Sequence, residues 1–191
     1  MLNLQTSVSG APHALSSKMK IIFDPAKLGC LHEKHVGFYM KYSSFVFRAL
    51  EKPAFQEFLC WMLKTENIEE QMIRDVDVKV FPLRRKSGKG LAGNCDLTRG
   101  KIRLYPKTVK FCSIFKQKFG RKTLLAYAGN RARAALIHEL LHLKYAEDEE
   151  KVRALARDYF FVFTRNHFTS SSRTLCVYAM IFKAEQLKKP P

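Results

Sequence analysis

The segment that most limits how this chain can fold runs from Ala132 to Leu143 and reads Ala-Arg-Ala-Ala-Leu-Ile-His-Glu-Leu-Leu-His-Leu. A helix lying on a protein surface carries one apolar stripe. This one is apolar or small around most of its circumference, through Ala132, Ala134, Ala135, Leu136, Ile137, Leu140 and Leu143, so it must be an interior helix packed on both sides. His138, Glu139 and His142 interrupt the apolar run. Two imidazoles and a carboxylate in such surroundings are costly unless compensated, and a bound cation provides that compensation.

The spacing of the three residues has its own consequence. In the pattern H-E-x-x-H, His138 and His142 fall roughly 40° apart around the helix, one turn from each other, so both rings can reach one ion. Glu139 projects from the flank of that face, close enough to touch a metal-bound water yet angled away from ligation. A bare H-E-x-x-H on a surface helix is usually coincidence; an apolar helix, a preceding group of strands and a following acidic cluster set this one apart.

Elsewhere the pattern indicates α+β. Apolar residues crowd at helical spacing over Ser43 to Leu50 and again over Ala54 to Leu63, with Pro53 where a first-turn proline is tolerated. Val76 to Val80 and Lys101 to Tyr105 alternate apolar and charged residues, as strands with one buried face do. Asn94 to Leu97 precedes the second of these, with Thr98-Arg99-Gly100 as a hairpin connection. Helices then follow: one from Thr108 ending near Gly120, one over Thr123 to Tyr145 with a break at Gly129-Asn130, one over Asp148 to Phe163, and a last near Arg173 to Leu187. Strands gathered in the middle of the chain argue against a regular doubly wound sheet.

At 191 residues with 47% hydrophobic content, one domain over residues 19–191 is expected, its core at about 76–165, preceded by a flexible Ser- and Gly-containing extension at 1–18. The five Cys are scattered with no C-x-x-C pair, so neither a zinc ribbon nor a paired disulfide framework is suggested, and they read as ordinary buried thiols. No apolar run reaches the ~20 residues of a membrane helix, and no secretory leader opens the chain, so a cytoplasmic protein without a membrane partner is expected. The net charge of +17 draws polyanions. A solvated basic surface and a nucleic-acid-binding face are equal readings of it.

A third ligand is expected in Glu147-Asp148-Glu149-Glu150. On the helix that follows, Val152, Leu155, Ala156 and Tyr159 form the inward stripe, and Glu149 lies in line with them, three residues before Val152. Glu150 aligns with Arg153 and Arg157 on the outer face. Asp148 is the expected N-cap and the alternative ligand. Two His and one carboxylate leave the fourth position of a tetrahedral Zn2+ open for water.

The run His138-Glu139-Leu140-Leu141-His142-Leu143-Lys144-Tyr145, followed by Asp148-Glu149 and Val152, resembles the zincin metallopeptidases, and most closely the minimal gluzincins of archaea. The resemblance covers about residues 76–160. It implies a zincin-like fold, a small mixed β-sheet packed on the H-E-x-x-H helix with further helices at both ends. It also implies zinc held by His138, His142 and Glu149, with Glu139 as general base. In such proteins a strand before the active-site helix binds extended substrate, and Lys101 to Tyr105 is the segment expected there. The short interval from His142 to Glu149 is similar to that in SprT-like proteases, in which a His takes the third place; no His stands there in this chain.

The expected activity is therefore hydrolysis of peptide bonds in a polypeptide substrate, with Tyr145, Tyr159 and His167 as candidate oxyanion donors. The alternative is a basic nucleic-acid-binding or regulatory protein that keeps a zincin core without turnover. A latent form, with the cleft covered by either end of the chain, is a further expectation that sequence leaves open.

Overall fold

The computed structural model describes residues 19–23, 33–83 and 90–167, the side chains of residues 33, 34, 166 and 167 left aside. The expected extension at 1–18 and the expected helix near 173–187 lie outside the described residues. Within them the order is β1 (Ile21–Ile22), α1 (Glu33–Leu50), α2 (Pro53–Glu66), a 3-10 turn at Glu70–Met72, β2 (Asp75–Val78), β3 (Gly93–Asp96), β4 (Lys101–Leu104), α3 (Val109–Tyr145) and α4 (Glu149–His167). The molecule is α+β, as the clustering of strands predicts.

The strands form one mixed sheet in the order β1-β2-β4-β3, with β1, β2 and β4 parallel and β3 antiparallel to β4. Alternation decides its two faces. Val76, Val78, Ile102 and Leu104 are buried against the helices. On the outer face Lys101 pairs with Asp75 at 3.8 Å, Arg103 with Asp96 at 3.7 Å, and Lys79 with Asp77. Gly100 takes φ 58° in the β3–β4 turn, and a Cβ there would meet the Met72 carbonyl oxygen at 2.1 Å, so only glycine fits.

Pro53 stands in the first turn of α2, and Asn67 closes it in the left-handed region with φ 53°. α3 spans 37 residues and bends at Gly120, where φ is 81°. The break expected at Gly129-Asn130 does not occur. Instead Gly129 marks a close helix crossing, where a Cβ would stand 3.4 Å from the Ala49 Cβ and 3.5 Å from the Phe45 ring of α1.

The C-terminal half of α3 is the centre of the molecule. Every residue from Tyr127 to Ile137 is buried, and Leu136, Ile137, Leu140 and Leu141 are wholly so. Removing each such leucine or isoleucine side chain from water contributes roughly 1.5–3 kcal/mol before the entropy of ordering is counted. Two arginines share this interior and satisfy backbone carbonyls. Arg131 donates to the Tyr105 and Leu91 oxygens at 2.7 and 3.1 Å, tying α3 to the chain on either side of the β3–β4 hairpin. Arg133 donates to Asn130 Oδ1 at 2.8 Å and to the Ala49 oxygen at 2.9 Å, near the C-terminus of α1. Burial lowers the Arg133 pKa to about 10, which leaves it charged at neutral pH. Among the described residues no helix is long and apolar enough to cross a membrane.

Candidate metal centre

His138 and His142 lie one turn apart near the C-terminal end of α3, where the helix leaves the core and both rings become partly accessible. Their Nε2 atoms are 3.1 Å apart and their ring planes stand at 80° to one another. Helix α3 ends at Tyr145, and Ala146 reverses the chain with φ 44°, a conformation non-glycine residues seldom adopt. The reversal does two things. It turns the Ala146 carbonyl back onto His142 Nδ1 at 2.5 Å, and it starts α4 beside the imidazoles.

Glu149, the first residue of α4, brings its carboxylate between the rings: Oε1 is 3.6 Å from His138 Nε2 and Oε2 is 3.3 Å from His142 Nε2. Arg153, one turn on, donates to Glu149 Oε1 at 2.8 Å and holds the carboxylate in place. Of the acidic cluster, Glu149 is the residue that joins the two His in a group able to hold an ion. Asp148 accepts from Lys151 N–H at 3.1 Å and so caps α4, while Glu150 is exposed.

The donor set can be tested against a metal directly. A carbonyl oxygen only accepts, so His142 Nδ1 donates to it and the ring's Nε2 is the atom turned toward Glu149. His142 Nε2 and Glu149 Oε2 face one another at 3.3 Å, an arrangement that suits a cation or proton between them. Zinc bonds of about 2.0–2.1 Å in a tetrahedron place donor atoms about 3.3 Å apart, and the separations of 3.1, 3.3 and 3.6 Å lie close to that edge. Two nitrogens and an oxygen suit zinc, and the residues present fit the ion.

Glu139 is not part of this triangle. It is 7% exposed and lies against β3: a Cβ on Gly93 would come within 2.7 Å of both its Cγ and its Oε1. Cys95, two residues along the same strand, has its thiol pushed up to about 12 by burial and by the nearby carboxylates of Glu139 and Asp96. It is therefore a thiol at neutral pH. The expectation that Lys101 to Tyr105 borders the site is corrected: β4 is paired on both sides, by β2 and β3, and the strand beside Glu139 is β3, the edge strand among the described residues.

The proposed oxyanion donors are engaged elsewhere. Tyr145 donates to Glu66 Oε2 at 2.6 Å and Tyr159 donates to Glu66 Oε1. The side chain of His167 lies outside the described residues. Lys144 adds a bond to the Glu66 carbonyl oxygen at 2.6 Å and an ion pair with its carboxylate at 3.2 Å. Burial opposes ionisation of Glu66, but the bonds from Tyr145, Tyr159 and Lys144 outweigh it and hold the carboxyl below its ordinary pKa. The knot fastens the end of α2 to the end of α3 and to α4. Sequence reasoning missed Glu66, whose one local signal is an acid in the last turn of an apolar helix.

Compared with known proteins, the chain matches no family model, no curated protein and no solved structure.

Proposed function

We propose that this chain is a zinc-dependent metallopeptidase of zincin type, acting on extended polypeptide in the cytoplasm. The observation that carries the reading is the triangle of His138, His142 and Glu149 donors at 3.1, 3.3 and 3.6 Å, with a further carboxylate, Glu139, beside His138 on the same helix. When bound there, zinc supplies Lewis acidity toward a water and a substrate carbonyl.

The chain's own residues do the rest. The Glu139 carboxylate takes the proton of the attacking water as its oxygen bonds to the carbonyl carbon, and returns it to the amine nitrogen as the C–N bond breaks. Its seat against Gly93 keeps it largely out of water, so the proton passes between fixed partners. Among the described residues β3 pairs with β4 alone, leaving backbone groups on its outer side for an extended peptide to join as a further strand. Such a pose would lay the substrate alongside Glu139. The Ala146 carbonyl fixes the His142 ring, and Arg153 fixes Glu149.

Glu139→Gln tests the assignment, because it preserves shape and removes the base. Purified variant protein should retain zinc at the wild-type ratio while casein cleavage drops by at least about 100-fold. Cleavage at the wild-type rate would remove Glu139 from its role. The competing reading, a basic nucleic-acid-binding or regulatory protein with this core and no turnover, rests on the charge of +17 and predicts no cleavage in the wild type, with zinc structural or absent.

A further inference from the structure

Positive charge is spread through the sequence, and one stretch of it has no acidic residue nearby in the chain. From Leu97 to His138 there is no acidic residue at all. Outside the first part of α3 six cations have carboxylate partners: Lys79, Lys101, Arg103, Lys144, Arg153 and Arg157 each form an ion pair. Lys110, Lys116, Lys118, Arg121 and Lys122, all exposed on the first part of α3, have no carboxylate within 4.0 Å among the described residues. The acidic side chains outside the description are three, Asp24, Glu33 and Glu185, too few to neutralise them.

The backbone makes these cations protrude. Residues 116 to 122 are exposed one after another, across the bend at Gly120. Behind the corner Phe115 lies 4.9 Å from the Tyr127 ring and Phe111 5.6 Å from it, so the projection is anchored to the core. Phe119 stands at the bend, 37% exposed, with the Lys118 ammonium 5.3 Å from its ring centre.

We infer that the α3 corner at residues 116–122 is a docking surface for single-stranded nucleic acid, with Lys116, Lys118, Arg121 and Lys122 on phosphates and Phe119 against a base. A lipid surface fits less well. A helix that lies in a membrane inserts a continuous apolar face, and here Cys112 and Phe115 are buried in the core, which leaves Ile114 and Phe119 exposed among the cations rather than a continuous face. Cations around a partly exposed aromatic ring match a strand whose bases are unstacked and free to meet it. The inference stands independently of the peptidase reading.

Fluorescence anisotropy of the full chain with a labelled 20-nucleotide DNA single strand, titrated with salt, tests it. Four phosphate contacts give a slope of about −3 in log K against log salt. The quadruple variant Lys116→Glu, Lys118→Glu, Arg121→Glu, Lys122→Glu should bind at least about 30-fold more weakly and flatten that slope. A control with the same charge change at the exposed Lys41, Lys52, Lys64 and Arg74 should lose far less. Should the quadruple variant unfold, the milder pair Lys118→Gln and Arg121→Gln reads the same way, with about a fivefold loss expected. Equal losses in corner and control variants would overturn the inference, as would wild-type affinity in the corner variants, tighter binding of the matching duplex, or binding to anionic phosphatidylserine vesicles without binding to DNA.

Discussion

Gly93 has no side chain, and that absence positions another residue. With Glu139 Cγ and Oε1 both 2.7 Å from where a Cβ would be, the carboxylate occupies the space an alanine methyl needs. Gly93→Ala must therefore displace the proposed base while leaving His138, His142 and Glu149 untouched. A misplacement of about 1 Å in a reacting group costs up to about 100-fold in rate. The expected outcome is kcat lowered by about 10- to 100-fold with KM and zinc content unchanged, measured by steady-state peptide hydrolysis beside metal analysis; unaltered kcat would show that the close approach is without consequence. At this scale the sequence was readable where residues interact with near neighbours. The His138 and His142 pair and the Asp148 cap depend on spacings of three or four residues. Arg131, Arg133 and Glu66 were not readable, because their partners at Tyr105, Ala49 and Tyr159 are distant in the chain and become neighbours through packing alone.

Elements emerged from the sequence in proportion to their length and periodicity. Val76 to Val80 and Lys101 to Tyr105 alternate, and the strands Asp75–Val78 and Lys101–Leu104 lie there. β1 has two residues, too few to leave a period, and it is a strand because β2 offers it a parallel edge. Gly129 reads locally as a helix breaker, yet the helix runs through it, since close contact with α1 outweighs a propensity cost of about 1 kcal/mol. Glu66 acts at this scale too, joining α2, α3 and α4. Its folded pKa lies below the unfolded value of about 4.3, so its contribution is complete above that pH and is lost as pH falls through the folded value. Glu66→Gln should cost about 1.5–3 kcal/mol in urea unfolding at pH 7. The gap to wild type should narrow below about pH 4. A gap independent of pH would mean that the ionised carboxylate is not what holds the three helices.

For the molecule as a whole, α3 is both the centre of the core and the carrier of the two imidazoles, while the third donor starts a separate helix. Zinc bound across the α3–α4 turn would therefore stabilise the folded chain and not the unfolded one. Chelation should lower the melting temperature, and free zinc at about 100 times its Kd should restore about 2.7 kcal/mol. A melting temperature indifferent to chelator and to added zinc would contradict that coupling. The most direct test is metal analysis of the purified wild-type chain beside His142→Ala, each protein quantified by amino-acid analysis. One zinc per wild-type chain and essentially none in the variant is the predicted result. Wild-type protein that binds no zinc when it is supplied, or a variant that holds as much as the wild type, would mean that the triangle of His138, His142 and Glu149 is not a zinc site.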